Sequence, residues 1–251
     1  MSKSKTSSEI RIGTSGWYYN HWHERFYPKD LPKSKWFKYY TENFDTVEIN
    51  NSYYRFPTDS AVKKWYDSCP DDFIYSVKMN RLITHLKKLK DVERQTNDFL
   101  KTIKSLRKKL GPILFQFPPS FKKDLELLKD YLPLLKKQKQ CVFEFRNDSW
   151  YDDDCFSLLN DFGAAFCIYH MGDTQTPRVI TGNMIYIRFH GTSGKYGGSY
   201  PDKMLKDWAK WIEENKKGKS CYAYFNNDAN AYAVKNAKKL ITMLGLKQTR
   251  D

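Results

Sequence analysis

The sequence predicts an α/β chain folded as a single (β/α)8 barrel of the TIM type. Three observations carry that expectation. Eight short runs rich in β-branched and aromatic residues recur along the 251 residues. Amphipathic helical patterns separate most of them, which is the rhythm of parallel strands joined by crossover helices. Along seven of the runs, polar residues alternate with apolar ones, as where one strand face meets helices and the other meets a functional lumen. The main rival is an open doubly wound sheet, which would carry GxGxxG after its first strand. Here that strand runs into GTSGWYYNHWHERFYP instead.

The strand-like runs are 10–15, 45–50, 73–79, 112–117, 141–146, 164–170, 184–190 and 221–226. Helical periodicity covers 33–42, 59–68, 92–110, 121–137, 203–216 and 229–244, and is weakest after the fifth and sixth strands. Thr58, Ser120 and Asp228 fit N-caps, and Gly111 and Gly245 fit helix stops. Residues 1–9 read as a disordered polar tail and 10–251 as one barrel domain, because no linker divides the chain.

With 40% apolar and 16% aromatic residues the chain can build a sizeable core, which excludes a disordered protein. No apolar run reaches the length of a membrane span, and the start lacks a hydrophobic signal region, so a cytoplasmic protein with no membrane partner is expected. The five cysteines form no CxxC pair and suit buried free thiols. The net charge of +14 admits a polyanion partner, yet most of it is lysine on helical patterns, where it decorates solvent faces.

Alternation sorts the strand residues. Ile10, Ile12, Val47, Ile49, Val77, Phe115, Phe143, Phe145, Ile187, Phe189, Ala223 and Phe225 suit the helix side. Their alternates face the lumen: Arg11, Gly13 and Ser15; Glu48 and Asn50; Ser76 and Lys78; Gln116; Glu144 and Arg146; Tyr186, Arg188 and His190; Tyr222, Tyr224 and Asn226. The polar members gather towards the strands' carboxyl ends, where barrels of this kind build active sites.

The segments IGTSGWYYNHWHERFYP, VEINNSYYRFP, VKMNRLITHLKKL, GPILFQFPPSF, FEFRNDSW, IRFHGTSGKYGGSY and YAYFNNDANAYAVKNAKKL resemble, in order and spacing, the YecE-like proteins of domain-of-unknown-function family 72. The resemblance spans roughly residues 10–245 and implies a TIM-type barrel without implying an activity. Two places depart from the family's pattern. His23-Glu24-Arg25 stands where a small residue, commonly glycine, is frequent, and Ala231 stands where glycine is frequent.

Read as chemistry, the lumen holds Lys78, Arg146 and Arg188 against Glu48 and Glu144, so the mouth is net positive, or nearly balanced if the pairs Glu48–Lys78 and Glu144–Arg146 form. Guanidinium forks suit carboxylate or phosphate. The glycine-rich loop 191–200 with Lys195, and NNDAN at 226–230, suit a phosphate held by backbone N–H groups, or else plain glycine turns. The first-loop rings Trp17, Tyr18, Tyr19, Trp22, Phe26 and Tyr27 either cap the mouth or stack on a ligand. Glu48, Glu144 and His190 could offer oxygen and nitrogen to a divalent ion. Too few histidines lie at strand ends, however, and the neighbouring cations would repel it, so no metal or other cofactor is expected.

Two function classes follow. The first is an enzyme without a metal, acting on a small phosphate- or carboxylate-bearing anion. Glu48 or Glu144 would be base and His190 acid, Lys78 and the arginines would stabilise charge, and Asn50, Gln116, Tyr186, Tyr224, Asn226 and Trp17 would bind substrate with Arg146 and Arg188. Whether it would be hydrolase, lyase or isomerase stays open. The alternative is a nucleic-acid-binding protein or nuclease of the endonuclease-like barrel type, working through its basic surface. Ionic strength separates the two, because polyanion binding weakens steeply with salt.

Overall fold

The computed structural model describes residues 9–138, 140–194 and 196–246. Its strands are β1 (Ile10–Thr14), β2 (Thr46–Ile49), β3 (Ile74–Lys78), β4 (Leu110–Gln116), β5 (Cys141–Glu144) and β6 (Ala165–Met171), followed by the two-residue β7 (Thr174–Gln175), β8 (Met184–Phe189) and β9 (Ser220–Phe225). All but β7 run parallel in the order β1-β9-β8-β6-β5-β4-β3-β2. A parallel bridge between Ser15 and Glu48 brings β1 back to β2 and closes the barrel.

That closure has its own chemistry. A side chain at Gly13 would collide with the Thr46 carbonyl oxygen, so glycine lets β1 and β2 approach. The Tyr40 hydroxyl, from α1 (Trp36–Asn43), accepts from the Thr14 amide at 3.0 Å and donates to the Thr46 carbonyl at 3.0 Å. Gly16 N donates to the Glu48 carbonyl at 2.9 Å. A side-chain hydroxyl thus stands where a ladder of backbone bonds would otherwise run.

The remaining helices are α2 (Asn51–Tyr54), α3 (Asp59–Asp67), α4 (Glu93–Ile103), α5 (Leu125–Tyr131), α6 (Asp153–Phe162), α7 (Asp202–Asn215) and α8 (Tyr232–Met243). In α7 the buried residues Leu205, Trp208, Ala209 and Ile212 recur at helical spacing, one apolar stripe laid on the strands. Thr58 caps α3, accepting from Ala61 N at 3.2 Å, and Gly245 takes the left-handed conformation (φ 64°) after α8. Other sequence expectations are corrected. Asp124, not Ser120, caps α5 through Leu127 N at 3.0 Å. Gly111 lies inside β4, and the preceding helix ends instead through a 3-10 turn kinked at Arg107. Asp228 makes no side-chain cap; its carboxylate lies 3.2 Å from His21 Nε2. Among the described residues no helix joins β6 to β8, where the β7 hairpin stands in.

The alternation sorts as expected. Ile12, Val47, Val77, Phe115, Phe143, Ile187 and Phe225 join the core between strands and helices. A second buried cluster of Leu114, Val142, Ala165, Cys167, Met184, Tyr186, Tyr222 and Tyr224 fills the lumen. The five cysteines are free and buried. Both departures from the resembled family's pattern fall on left-handed backbone, Glu24 at φ 62° and Ala231 at φ 56°. There a non-glycine residue costs about 1–2 kcal/mol. Residues 1–8 of the expected tail and Lys195 lie outside the described residues.

Candidate active site

Strands β2, β5 and β8 each end with an ionic side chain in the lumen. Glu48, Glu144 and Arg188 are buried almost completely. Arg188 lies between the carboxylates, Nη2 at 2.7 Å from Glu48 Oε1 and Nη1 at 2.6 Å from Glu144 Oε2. Glu48 also accepts from Ser15 Oγ (Oε1, 2.7 Å) and from the Tyr186 hydroxyl (Oε2, 2.7 Å). Arg146 Nε is ion-paired with the outer oxygen, Oε1, of Glu144. Two carboxylates face two guanidiniums, so the network is close to neutral, which a dry lumen favours.

Of the two pairs considered, Glu144–Arg146 forms. Glu48 pairs with Arg188 rather than Lys78, because the guanidinium spans the lumen and presents a donor to each carboxylate. Among the described residues Lys78 has no ion pair; its ammonium lies over the Tyr53 ring at 4.2 Å. Burial, and then Arg188, draws the Lys78 amine down to about 7.

His190 adjoins the network. Its Nε2 lies 2.7 Å from Arg146 Nη2, which can only donate, so the ring accepts there as a neutral imidazole. Nδ1 is 3.2 Å from the Asn226 amide. Burial and then Arg188 push the imidazole down to about 3. The expectation of a histidine titrating near neutrality is therefore corrected. So is that of a carboxylate raised towards neutrality. Burial alone would raise Glu144 and Glu48, but their guanidinium partners outweigh it and hold both below the usual carboxylate range. For a divalent ion, too, the donors of Glu48, Glu144 and His190 are already committed to guanidinium groups, and the residues present do not fit one.

The expected substrate-binding residues divide. Arg146 reaches the mouth, its guanidinium 4.2 Å over the Tyr169 ring. Asn50, Gln116 and Asn226 are partly exposed at the strand ends; Gln116 donates to the Phe117 carbonyl at 2.9 Å, and Asn50 Oδ1 is buried with no hydrogen-bond partner among the described residues. Tyr186 and Tyr224 form the floor instead, fully buried and committed to Glu48 and Ser76, and to Thr46. Trp17 packs its ring on Phe37 of α1 at 4.7 Å, drawn to the helix side by an apolar partner. Trp22 and Tyr27 are likewise buried, with Tyr27 stacked on Trp36 at 4.4 Å, as a cap requires. In the glycine-rich loop the amides of Gly191, Ser193 and Tyr196 are spent on Tyr200, Gly197 and His190.

Two residues at the mouth escaped sequence reasoning. Tyr169 shares the register of Arg188, so strict alternation along β6 would have found it. Tyr53 lies in α2, where no strand pattern reaches. It stacks edge-on with His85 at 5.0 Å, a ring held on a π-helical turn, Leu82–Leu86, and lowered by burial to about 4.

Several known proteins are similar to this chain. UPF0759 protein YunF of Bacillus subtilis is 28% identical over 273 aligned positions, covering 94% of this chain and 95% of YunF. UPF0759 protein YecE of Escherichia coli K12 is 26% identical over 113 positions, 45% of this chain and 42% of YecE. A crystal structure of a DUF72 family protein (TM1631) from Thermotoga maritima superposes with a TM-score of 0.84 at 28% identity, covering 94% of this chain and 99% of that one. A second, of EF0366 from Enterococcus faecalis, gives 0.82 at 20% identity over 96% and 98%. The family model described as "Protein of unknown function DUF72" matches residues 11–251, and the chain belongs to that family.

Proposed function

We propose that the barrel mouth is the active site of an enzyme that binds a small phosphate- or carboxylate-bearing anion and carries out acid–base chemistry without a metal. The supporting observation is the charge count. Glu48, Glu144, Arg188 and Arg146 neutralise one another, His190 is neutral, and Lys78 is left as the surplus cation. An anion entering the mouth meets Lys78 and the outer edge of Arg146. With its amine near 7, Lys78 can take and return a proton at neutral pH, whereas the two carboxylates are too acidic to be strong bases. Roles thus move from His190 and the glutamates to Lys78. His190 positions Arg146, and the glutamates hold both arginines in place.

Calorimetric titration with inorganic phosphate, sulfate and small carboxylates tests this reading. Binding at millimolar concentration or tighter is expected. It should weaken in Lys78→Met and Arg146→Lys, the second because the fork is lost although the charge is kept. The response to salt should be mild, since the ligand's charges lie in a partly dry pocket. No heat at millimolar anion would overturn the proposal, as would a steep loss with salt typical of polyanion binding.

A further inference from the structure

Lys109 is buried and Lys78 and Lys238 are partly buried, and the three differ in what meets the ammonium. Lys109, at the opposite end of the barrel, donates to the Tyr66 and Cys69 carbonyls at 2.7 and 2.8 Å. Lys238 donates to Asn43 Oδ1 at 2.6 Å. Both donate to oxygen acceptors, as a polar group taken from water requires. Lys78 alone has no oxygen acceptor for its ammonium among the described residues and faces only the Tyr53 ring. The ring face accommodates the ammonium, but the missing oxygen acceptor lowers the cost of giving up its proton, and the neutral amine's lone pair is a nucleophile.

Resting on the reading of the mouth as an anion site, we propose that its substrates carry a carbonyl group, as 2-oxo acids or small aldehyde phosphates do, and that the Lys78 amine adds to that carbonyl to form an imine. The amine lone pair forms the C–N bond as the carbonyl π bond breaks, and a proton passes from nitrogen to oxygen, giving a neutral carbinolamine. A further proton, drawn from solvent, lets that hydroxyl leave as water while the nitrogen lone pair forms the protonated C=N bond, with no oxidation or reduction. The substrate's anionic end would lie towards Arg146, while the cationic imine would keep the Tyr53 face that the ammonium now occupies. The charged and titratable groups around Lys78 are Glu48, Glu144 and Arg188 from the strands, Arg146 just past β5, Tyr53 from α2, and His85 and Arg81 from the loop after β3. The network holds the carboxylates ionised and paired, so the balance of charge at Lys78 varies little across neutral pH.

Trapping tests this directly. The protein is incubated near pH 7 with pyruvate, glyoxylate or glycolaldehyde phosphate and sodium cyanoborohydride, which reduces an imine to a stable secondary amine. Peptide mass spectrometry then locates the adducts. A solvated lysine is about one part in a thousand neutral amine at that pH, so Lys78 should carry at least roughly tenfold more adduct than any exposed lysine. Lys78→Arg should remove that adduct and leave the exposed background. Adducts spread over surface lysines by exposure alone, or none at Lys78, would overturn the proposal. The wild-type map does not depend on any variant folding. Competitive acetylation across pH and the anion titration separate the two readings. An amine titrating near 7 beside a bound anion, yet never trapped, sinks the imine and spares the acid–base site; failure of all three sinks both.

Discussion

Two arginines on the lumen side of the strands, at opposite ends of the barrel, each meet two carboxylates. Arg11, near the amino end of β1, is ion-paired with Glu9 and lies 3.1 Å from Asp45 Oδ2. Those carboxylates are 54% and 42% exposed. Arg188, near the carboxyl end of β8, pairs with Glu48 and Glu144, whose side chains are fully buried. The contacts are alike, but the surroundings are not. Water screens the first group and solvates whatever is left when a partner is lost. In the second group each charge depends on the others for its solvation, so the cluster stands or falls as a unit.

The largest expected effect breaks the buried group. Arg188→Met leaves two carboxylates unpaired in the lumen and should cost about 3–5 kcal/mol of unfolding free energy, the scale for removing one partner of a buried ion pair. Chemical denaturation of variant and wild type measures it. A loss below about 1 kcal/mol would show that water reaches the cluster and that the two ends are equivalent.

Acid provides a middle-sized test, since it protonates the buried groups at the carboxyl end. His190 binds its proton at about 3 in the fold, but nearer the ordinary histidine value once unfolded. Between those values the unfolded chain holds the extra proton, so stability falls as pH is lowered from about 6.5 towards 3. His85 and His170, also lowered, contribute in the same direction. The Glu48 and Glu144 pairs stabilise above the ordinary carboxylate value, and that contribution is lost as pH drops through their lower folded values. His190→Asn should therefore reduce the slope of stability against pH between about 6.5 and 4.5 by up to about 1.4 kcal/mol per pH unit. An unchanged slope would mean that the imidazole is protonated in the fold.

The smallest effect belongs to the open end. Arg11→Met should change unfolding free energy by about 1 kcal/mol or less, and the effect should shrink in added salt. A cost matching that of Arg188→Met would remove the contrast between the two ends.

Much of this site was legible in the chain. Alternation placed Glu48, Glu144, Arg146, Arg188 and His190 on the lumen side, since period-2 geometry fixes facing whatever the partners. It could not pair them. Glu48 and Arg188 meet across the lumen from strands that are not neighbours, which depends on how the closed barrel brings strand ends together, and nothing local to EIN or IRF records that. The same limit hid the state of His190. Its spacing marks it as inward, but only the assembled neighbours show that burial and Arg188 leave it neutral. Tyr53 was out of reach for a simpler reason, because a short helix brings it to Lys78 with no periodic signal.

The closure between β1 and β2 has a mechanical side. Other neighbouring strands share a register of two to six paired residues, but these two meet through one bridge at Ser15 and Glu48 and through the Tyr40 hydroxyl. Glu48 thus serves as both hasp and charge carrier. Its backbone fastens the cylinder, and its carboxylate, tied to Ser15 and Arg188, keeps the fastening tensioned from within. A hoop fastened at one point yields there first, so the staves most able to part are those that carry Glu48.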